Sequence, residues 1–165
     1  MKRYNGMIGI DVLECVNPLN DKWHVRYDIQ PTGEDDGVTF AVEVVNHKPT
    51  LSEVKEIVLG FMNKQIDERI LNGFEWNGMP VWLSTENQFN YKAAYDLAVQ
   101  TQGASLPVTF KFGTKEEPVY HEFTDLESFT DFYTKAMAYI NAQLAEGWVM
   151  KDAVDWTPYE EILNK

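Results

Sequence analysis

Three histidines, one cysteine and a surplus of carboxylates are what this chain offers for chemistry. His24, His47 and His121 lack the i, i+4 or short-loop spacing by which a chain closes a metal site, so they read as unrelated residues. Cys15 is the sole cysteine, which excludes an internal disulfide and a thiolate metal cluster. It lies in the apolar run from Ile8 to Val16, where a thiol packs as a small hydrophobe. Glu34-Asp35-Asp36-Gly37 lacks the alternating oxygen ligands and distant Glu of a calcium loop and reads as a turn. Nucleophile-elbow, phosphate-loop and dinucleotide patterns are absent. A glycosidase-like carboxylate pair is a matter of separation in space, which spacing along the chain does not reveal. The residues predict no catalytic group, no metal and no cofactor, and a binding protein rather than an enzyme.

Charge narrows the partners. Twenty-six acidic against 14 basic residues give a formal charge of −12. Such a surface repels phosphate backbones and anionic lipid, so neither direct nucleic-acid binding nor membrane binding is expected. No apolar stretch approaches the ~20 residues needed to span a bilayer, and the first residues lead into a strand-like run and not a signal peptide. A reducing cytoplasm is the expected compartment. The acids divide evenly between the two halves of the chain, without the dense block that mimicry of nucleic acid would favour.

The elements that must position any binding residues are legible in outline. Trp23, Val25, Tyr27 and Ile29 alternate with His24, Arg26, Asp28 and Gln30, and Val38, Phe40, Val42 and Val44 alternate after the turn. With the run at 7–16 they predict a three-stranded meander over residues 6–47. Thr50-x-x-Glu53 is a capping box opening a helix to about Leu71, with Asn72-Gly73 as a left-handed stop. The apolar face of this helix drifts from Val54, Ile57, Val58 and Phe61 to Leu59, Met62, Ile66 and Ile70. That drift predicts two different packing partners along its length.

Two strand–strand–helix cycles follow. Trp76-Asn77-Gly78-Met79 is a type I′ hairpin signal, and Pro80 places its strand at an edge or a bulge. Thr85-x-x-Gln88 opens a helix ending near Gly103, with stripes Phe89-Ala93-Leu97 and Tyr91-Tyr95. Strands at 108–112 and 119–123 flank the charged turn Gly113–Glu117, and Thr124-x-x-Glu127 opens the next helix. Its main stripe is Leu126, Phe129, Tyr133, Met137, Ile140, Leu144 and Trp148. A short terminal helix begins at Thr157-Pro158. A degenerate duplication and the common form of any hairpin feeding a helix both account for the likeness of the cycles. The expected class is α+β: antiparallel strands, as an N-terminal meander plus two hairpins, packed with three main helices. Residues 1–72 and 73–165 are expected to form one compact domain.

The aromatics are the candidate binding residues. Trp76 and Trp148 fall on patterned apolar faces and read as core. Trp82 alternates with Val81 and Leu83, so one of these two faces must turn outward or meet another layer. Phe132 and Tyr139 lie seven apart, off the main stripe of their helix, and Trp156 and Tyr159 lie in the tail. These four are the expected interface residues, since aromatic side chains anchor protein contacts.

Residues 67–159 resemble a phage-associated domain of unknown function whose genes lie in tailed phages and prophages, often near tail-fibre genes. The likeness rests on Asp67-Glu68-Arg69-Ile70 before Gly73-Phe74, the Trp76-Asn77-Gly78 turn and Leu83-Ser84-Thr85-Glu86-Asn87-Gln88. It continues through Phe110-Lys111-Phe112 and the 126–144 helix. The resemblance implies a phage setting and no reaction. The expected function is a virion-associated accessory protein of tail or capsid, placed in the virion or host cytoplasm. Its expected partners are copies of itself or a larger virion protein. An acidic inhibitor of a host defence protein and a carbohydrate-binding module are the alternatives.

Overall fold

The β-alternation in the first third of the chain builds a four-stranded antiparallel sheet rather than a three-stranded meander. In the computed structural model, which describes residues 2–33 and 36–165, the strands are β1 (Tyr4–Met7), β2 (Leu13–Asn17), β3 (Lys22–Pro31) and β4 (Gly37–Val45). They lie in the order β1-β4-β3-β2. The run expected as one strand over 7–16 is cut because Gly9 takes φ of 87°. A turn results, closed by the Ile10 N–H donating to the Met7 carbonyl at 3.2 Å. Its first part therefore pairs with β4 and its second with β3. Of the turn expected at 34–37, Glu34 and Asp35 lie outside the described residues.

The clean two-face alternation expected for β3 also changes. Asp28 sits at φ of 52°, and the register steps from Tyr27 opposite Ala41 to Gln30 opposite Thr39, a bulge that puts Ile29 out of phase with Tyr27. Arg26, on the face expected to be polar, is only 7% exposed. Its Nη1 donates to the Asp11 carbonyl at 2.7 Å, its other terminal nitrogen pairs with Glu14, and the guanidinium lies 5.6 Å from the Phe40 ring centroid. These partners account for two of its nitrogens, and the buried Nε has none.

Helix α1 (Leu51–Asn72) starts with the expected capping box: the Glu53 N–H donates to Thr50 Oγ1 at 3.3 Å, and the Thr50 N–H donates to Glu53 Oε2 at 2.7 Å. The helix ends without the left-handed glycine stop. Gly73 has an ordinary φ, and its N–H still donates to the Arg69 carbonyl at 2.9 Å. Glycine is needed there for space, because a Cβ would run into the Tyr139 hydroxyl, which donates to that same carbonyl at 2.8 Å.

The hairpins are β5 (Phe74–Trp76) with β6 (Met79–Val81), and β7 (Val108–Gly113) with β8 (Pro118–Phe123). Asn77 and Gly78 take φ of 51° and 75°, as a type I′ turn requires. Helices α2 (Thr85–Gln100), α3 (Leu126–Asp152) and α4 (Thr157–Leu163) complete the α+β architecture. The caps of α2 and α3 differ from expectation by one residue. Ser84 accepts from the Asn87 N–H at 3.2 Å, and Asp125 accepts from the Ser128 N–H at 2.8 Å.

The chain forms two compact units, Met1–Phe61 with Ala153–Lys165, and Met62–Asp152. The division runs through α1, whereas the sequence suggests a break at residue 72 inside one domain. The first half of α1 buries Val54 and Val58 in the first unit, where Phe61 meets Tyr27 with ring centroids 5.1 Å apart. The second half buries Ile66 and Ile70 in the second unit. The drifting apolar face thus serves two interiors. In the first unit α4 docks through Tyr159, whose buried hydroxyl donates to the Arg26 carbonyl at 2.7 Å.

Candidate functional site

Unit Met62–Asp152 is organised around an aromatic cluster. Trp76, Tyr91, Phe112, Phe123, Phe129 and Phe132 are buried together, drawn from both hairpins, α2 and α3. Trp76 keeps its polar edge satisfied by donating Nε1–H to Asp131 at 3.0 Å. Phe132 is fully buried, with the Tyr91 and Phe112 rings each 5.1 Å away. It cannot serve as the exposed contact expected of it. The buried face of α3 runs through Phe129, Phe132, Ala136, Ile140 and Gly147, because two hairpins and α2 cover more of the helix than one stripe. The same rotation leaves Trp148, expected in the core, 61% exposed.

The other expected interface residues are also partly or wholly engaged within the chain. Tyr139 packs on Phe74 at 5.4 Å and is half-buried. Trp156 is half-buried with the Lys55 ammonium 5.4 Å from its ring centroid, and Tyr159 is buried. Histidines, too, serve as local fittings. His121 lies edge-on to Trp76 at 4.9 Å, and His47 Nε2 is 2.8 Å from Glu53 Oε1. Among the described residues no group of three or more His, Cys, Asp or Glu side chains could hold a metal, and no helix is long and apolar enough to cross a membrane.

Two surface features stand out instead, both in this unit. Helix α2 turns Tyr91, Tyr95 and Ala98 to the interior, while Phe89, Ala93 and Leu97 form an exposed row at four-residue spacing. Phe89 is 71% exposed. The sequence pattern marked both stripes, and the ring contacts of Tyr91 and Tyr95 with Phe110, Phe129 and Tyr133 decide which one faces inward.

The second feature is a groove of about 640 Å³ beside that helix, within the ordinary range of ligand sites. Its accessible apolar lining comes from half-buried Leu71, Pro80 and Phe110, backed by the buried Val81, Tyr91 and Phe112. Trp82 forms one wall and is 50% exposed, whereas its neighbours Val81 and Leu83 are buried, so the alternation at 81–83 resolves with the indole outward. Asn87 donates Nδ2–H to the Trp82 carbonyl at 2.8 Å and so ties that wall to α2. Gln88 donates to the Leu83 carbonyl at 2.7 Å, and the Leu83 N–H donates to the Leu71 carbonyl at 3.1 Å. This stitching holds the segment between β6 and α2 in place.

Lys111 and Lys115 also line the groove, both exposed. The turn carrying Lys115 is shaped by Gly113 at φ of 80°, where a Cβ would strike the Glu117 carbonyl, and by the Glu117 N–H donating to Thr114 Oγ1 at 2.9 Å. The lining contains no Asp, Glu, His or Cys. Tyr91 is the one acidic hydroxyl, and burial pushes its pKa up to about 12. Spacing does not pick out Trp82, Asn90, Lys111 and Lys115 as a set, because the segment after β6, α2 and the β7–β8 hairpin bring them together.

A family comparison matches residues 53–164, more than half of the chain, to the domain of unknown function DUF4376. The chain belongs to that family. The matched DUF4376 region takes in all of α2 and α3, both hairpins, the groove and α4, while strands β1–β4 precede it. No curated protein and no solved structure matches the chain.

Proposed function

We propose that this DUF4376 protein is a non-catalytic accessory module of a phage or prophage particle, in tail or capsid, that works through protein–protein contact. The exposed Phe89-Ala93-Leu97 row carries the reading. An amphipathic helix in a self-contained domain keeps its second face polar, whereas α2 sets this apolar row among its exposed polar residues. A contiguous apolar strip at the surface, unlike scattered exposed residues, is the mark of a contact site. Exposed Trp148 and Val149 at the end of α3 add apolar area of the same kind. The resemblance to phage-associated domains supplies the setting, and the partner is a second copy or a larger virion protein.

Quantitative mass spectrometry of purified particles, from cells carrying the gene, tests the reading. A fixed ratio to the major capsid protein is the expected result, and the ratio itself assigns capsid, tail or vertex. Expression in infected cells with absence from particles would overturn it and favour an assembly helper or an inhibitor of host defence.

A further inference from the structure

The groove beside α2 reverses the charge of the molecule. The chain carries −12, yet among the described residues the charged side chains lining the groove are Lys111 and Lys115 alone. Three other basic side chains of this unit are paired, Arg69 with Glu146 at 3.1 Å, Lys92 with Asp96 at 2.6 Å and Lys135 with Asp131 at 2.8 Å, while Lys64 and Lys151, which do not line the groove, have no ion pair among the described residues. Lys111 and Lys115 take part in no ion pair among the described residues. Two unpaired ammonium groups at the border of an apolar trough complement an anionic ligand with an apolar body.

We propose that this groove is the docking site for an acidic peptide segment of the partner protein, with one aromatic or aliphatic anchor residue flanked by Asp or Glu. The anchor lies on Leu71, Pro80 and Phe110 against the exposed face of Trp82. The flanking carboxylates meet Lys111 and Lys115, and the side-chain amide of Asn90 is placed to bond the peptide backbone. An apolar anchor supplies the affinity and the charges supply orientation and speed of encounter. The proposal rests on the protein-contact reading above and names the chemistry of the partner.

Fluorescence anisotropy with defined peptides tests it. The probes are fluorescein-labelled dodecapeptides with a central Phe, Trp or Leu flanked by Asp, Glu, Ser and Gly. Matched sets replace the acids by Lys, or the anchor by Ser. The acidic anchored set is expected to bind with Kd of about 10–100 µM, and neither matched set should bind up to about 1 mM. Affinity should fall with added salt, and Lys111→Glu with Lys115→Glu should weaken it about tenfold or more. Trp82→Ala should do the same with the salt dependence kept. Because all three side chains are exposed, circular dichroism should show the fold retained; if a variant unfolds, shifts of the Trp82 indole and Asn90 amide signals in the unaltered protein decide instead.

Equal binding of the basic set, or binding indifferent to all three substitutions, would overturn the proposal. So would no binding by any peptide, or binding of a uronate- or sialate-bearing oligosaccharide set in place of the peptides. Particle mass spectrometry is independent of this assay. A chain found in particles that binds no acidic peptide loses only the groove assignment, and a chain absent from particles that binds them loses only the virion reading.

Discussion

The two units solve the same packing problem with different materials. Unit Met62–Asp152 fills its interior with rings, and its two-stranded hairpins are too short to make a layer of their own. Unit Met1–Phe61 with Ala153–Lys165 has a ten-residue central strand and buries small and branched residues such as Val25, Ala41, Val54 and Val58. A ring cluster can be assembled from many elements because each aromatic brings a large area to a single point. A sheet instead needs register, and its order here, β1-β4-β3-β2, interleaves strands distant in the chain. The family match follows this contrast. It begins at residue 53 in α1 and includes α4, so the ring-filled unit and the helical platform of the other belong to DUF4376, while the sheet is what precedes it.

Breaking the ring cluster should have the largest effect. Trp76→Ala removes a ring in contact with Phe112, Phe123 and Phe132 and one of the two partners of Asp131, which keeps Lys135, and it is expected to destabilise its unit by about 3–5 kcal/mol. Urea unfolding followed by aromatic circular dichroism measures this. If the units unfold separately, the transition that reports the sheet should be spared, and a single shifted transition would instead make the molecule one cooperative unit.

Next in size is the contact between α1 and α3. Gly147 is buried, and a Cβ there would run into the Ile66 side chain. Gly147→Ala should cost about 1–3 kcal/mol by overpacking, and Ile66→Val in the same chain should restore part of it. A thermal melt of the two variants would expose an absence of coupling.

Removing the Tyr159 hydroxyl sharpens the comparison from the other side. Tyr159→Phe keeps the ring but leaves the Arg26 carbonyl without its partner, and about 1–2 kcal/mol should be lost from the sheet-bearing unit. Hydrogen exchange should increase at α4 and β3 and stay unchanged in β5–β8.

The smallest effect is on pH dependence. The Thr50 backbone N–H, with His47 and the Thr50 hydroxyl, holds the Glu53 carboxyl down to about 2 from an ordinary 4.5. A depressed folded pKa means that this cap stabilises above the ordinary value and is lost as pH falls from 4.5 towards 2. Acid titration monitored by NMR at the Thr50 amide should show the loss in that window. Glu53→Gln should flatten it.

Local grammar carried furthest where partners lie close in sequence. The Asn77-Gly78 turn, the Thr50/Glu53 box and the Pro80 edge strand could all be read because each rests on backbone geometry within a few residues. The two apolar stripes of α2 were equally visible, but nothing local distinguishes Phe89 from Tyr91. Two of the four expected contact residues, Phe132 and Tyr159, are buried for the same reason, and Tyr139 and Trp156 are half-buried.

By itself the sequence determined the α+β class, the hairpin turns, the helix starts and the double role of α1, since these follow from periodicity and short-range hydrogen bonding. Only the tertiary structure decided which side of each helix is inside and which strands pair across the turn at Gly9. It also decided that Trp82, Asn90, Lys111 and Lys115 face one trough. Burial is a property of what lies opposite a side chain, and what lies opposite comes from elsewhere in the chain.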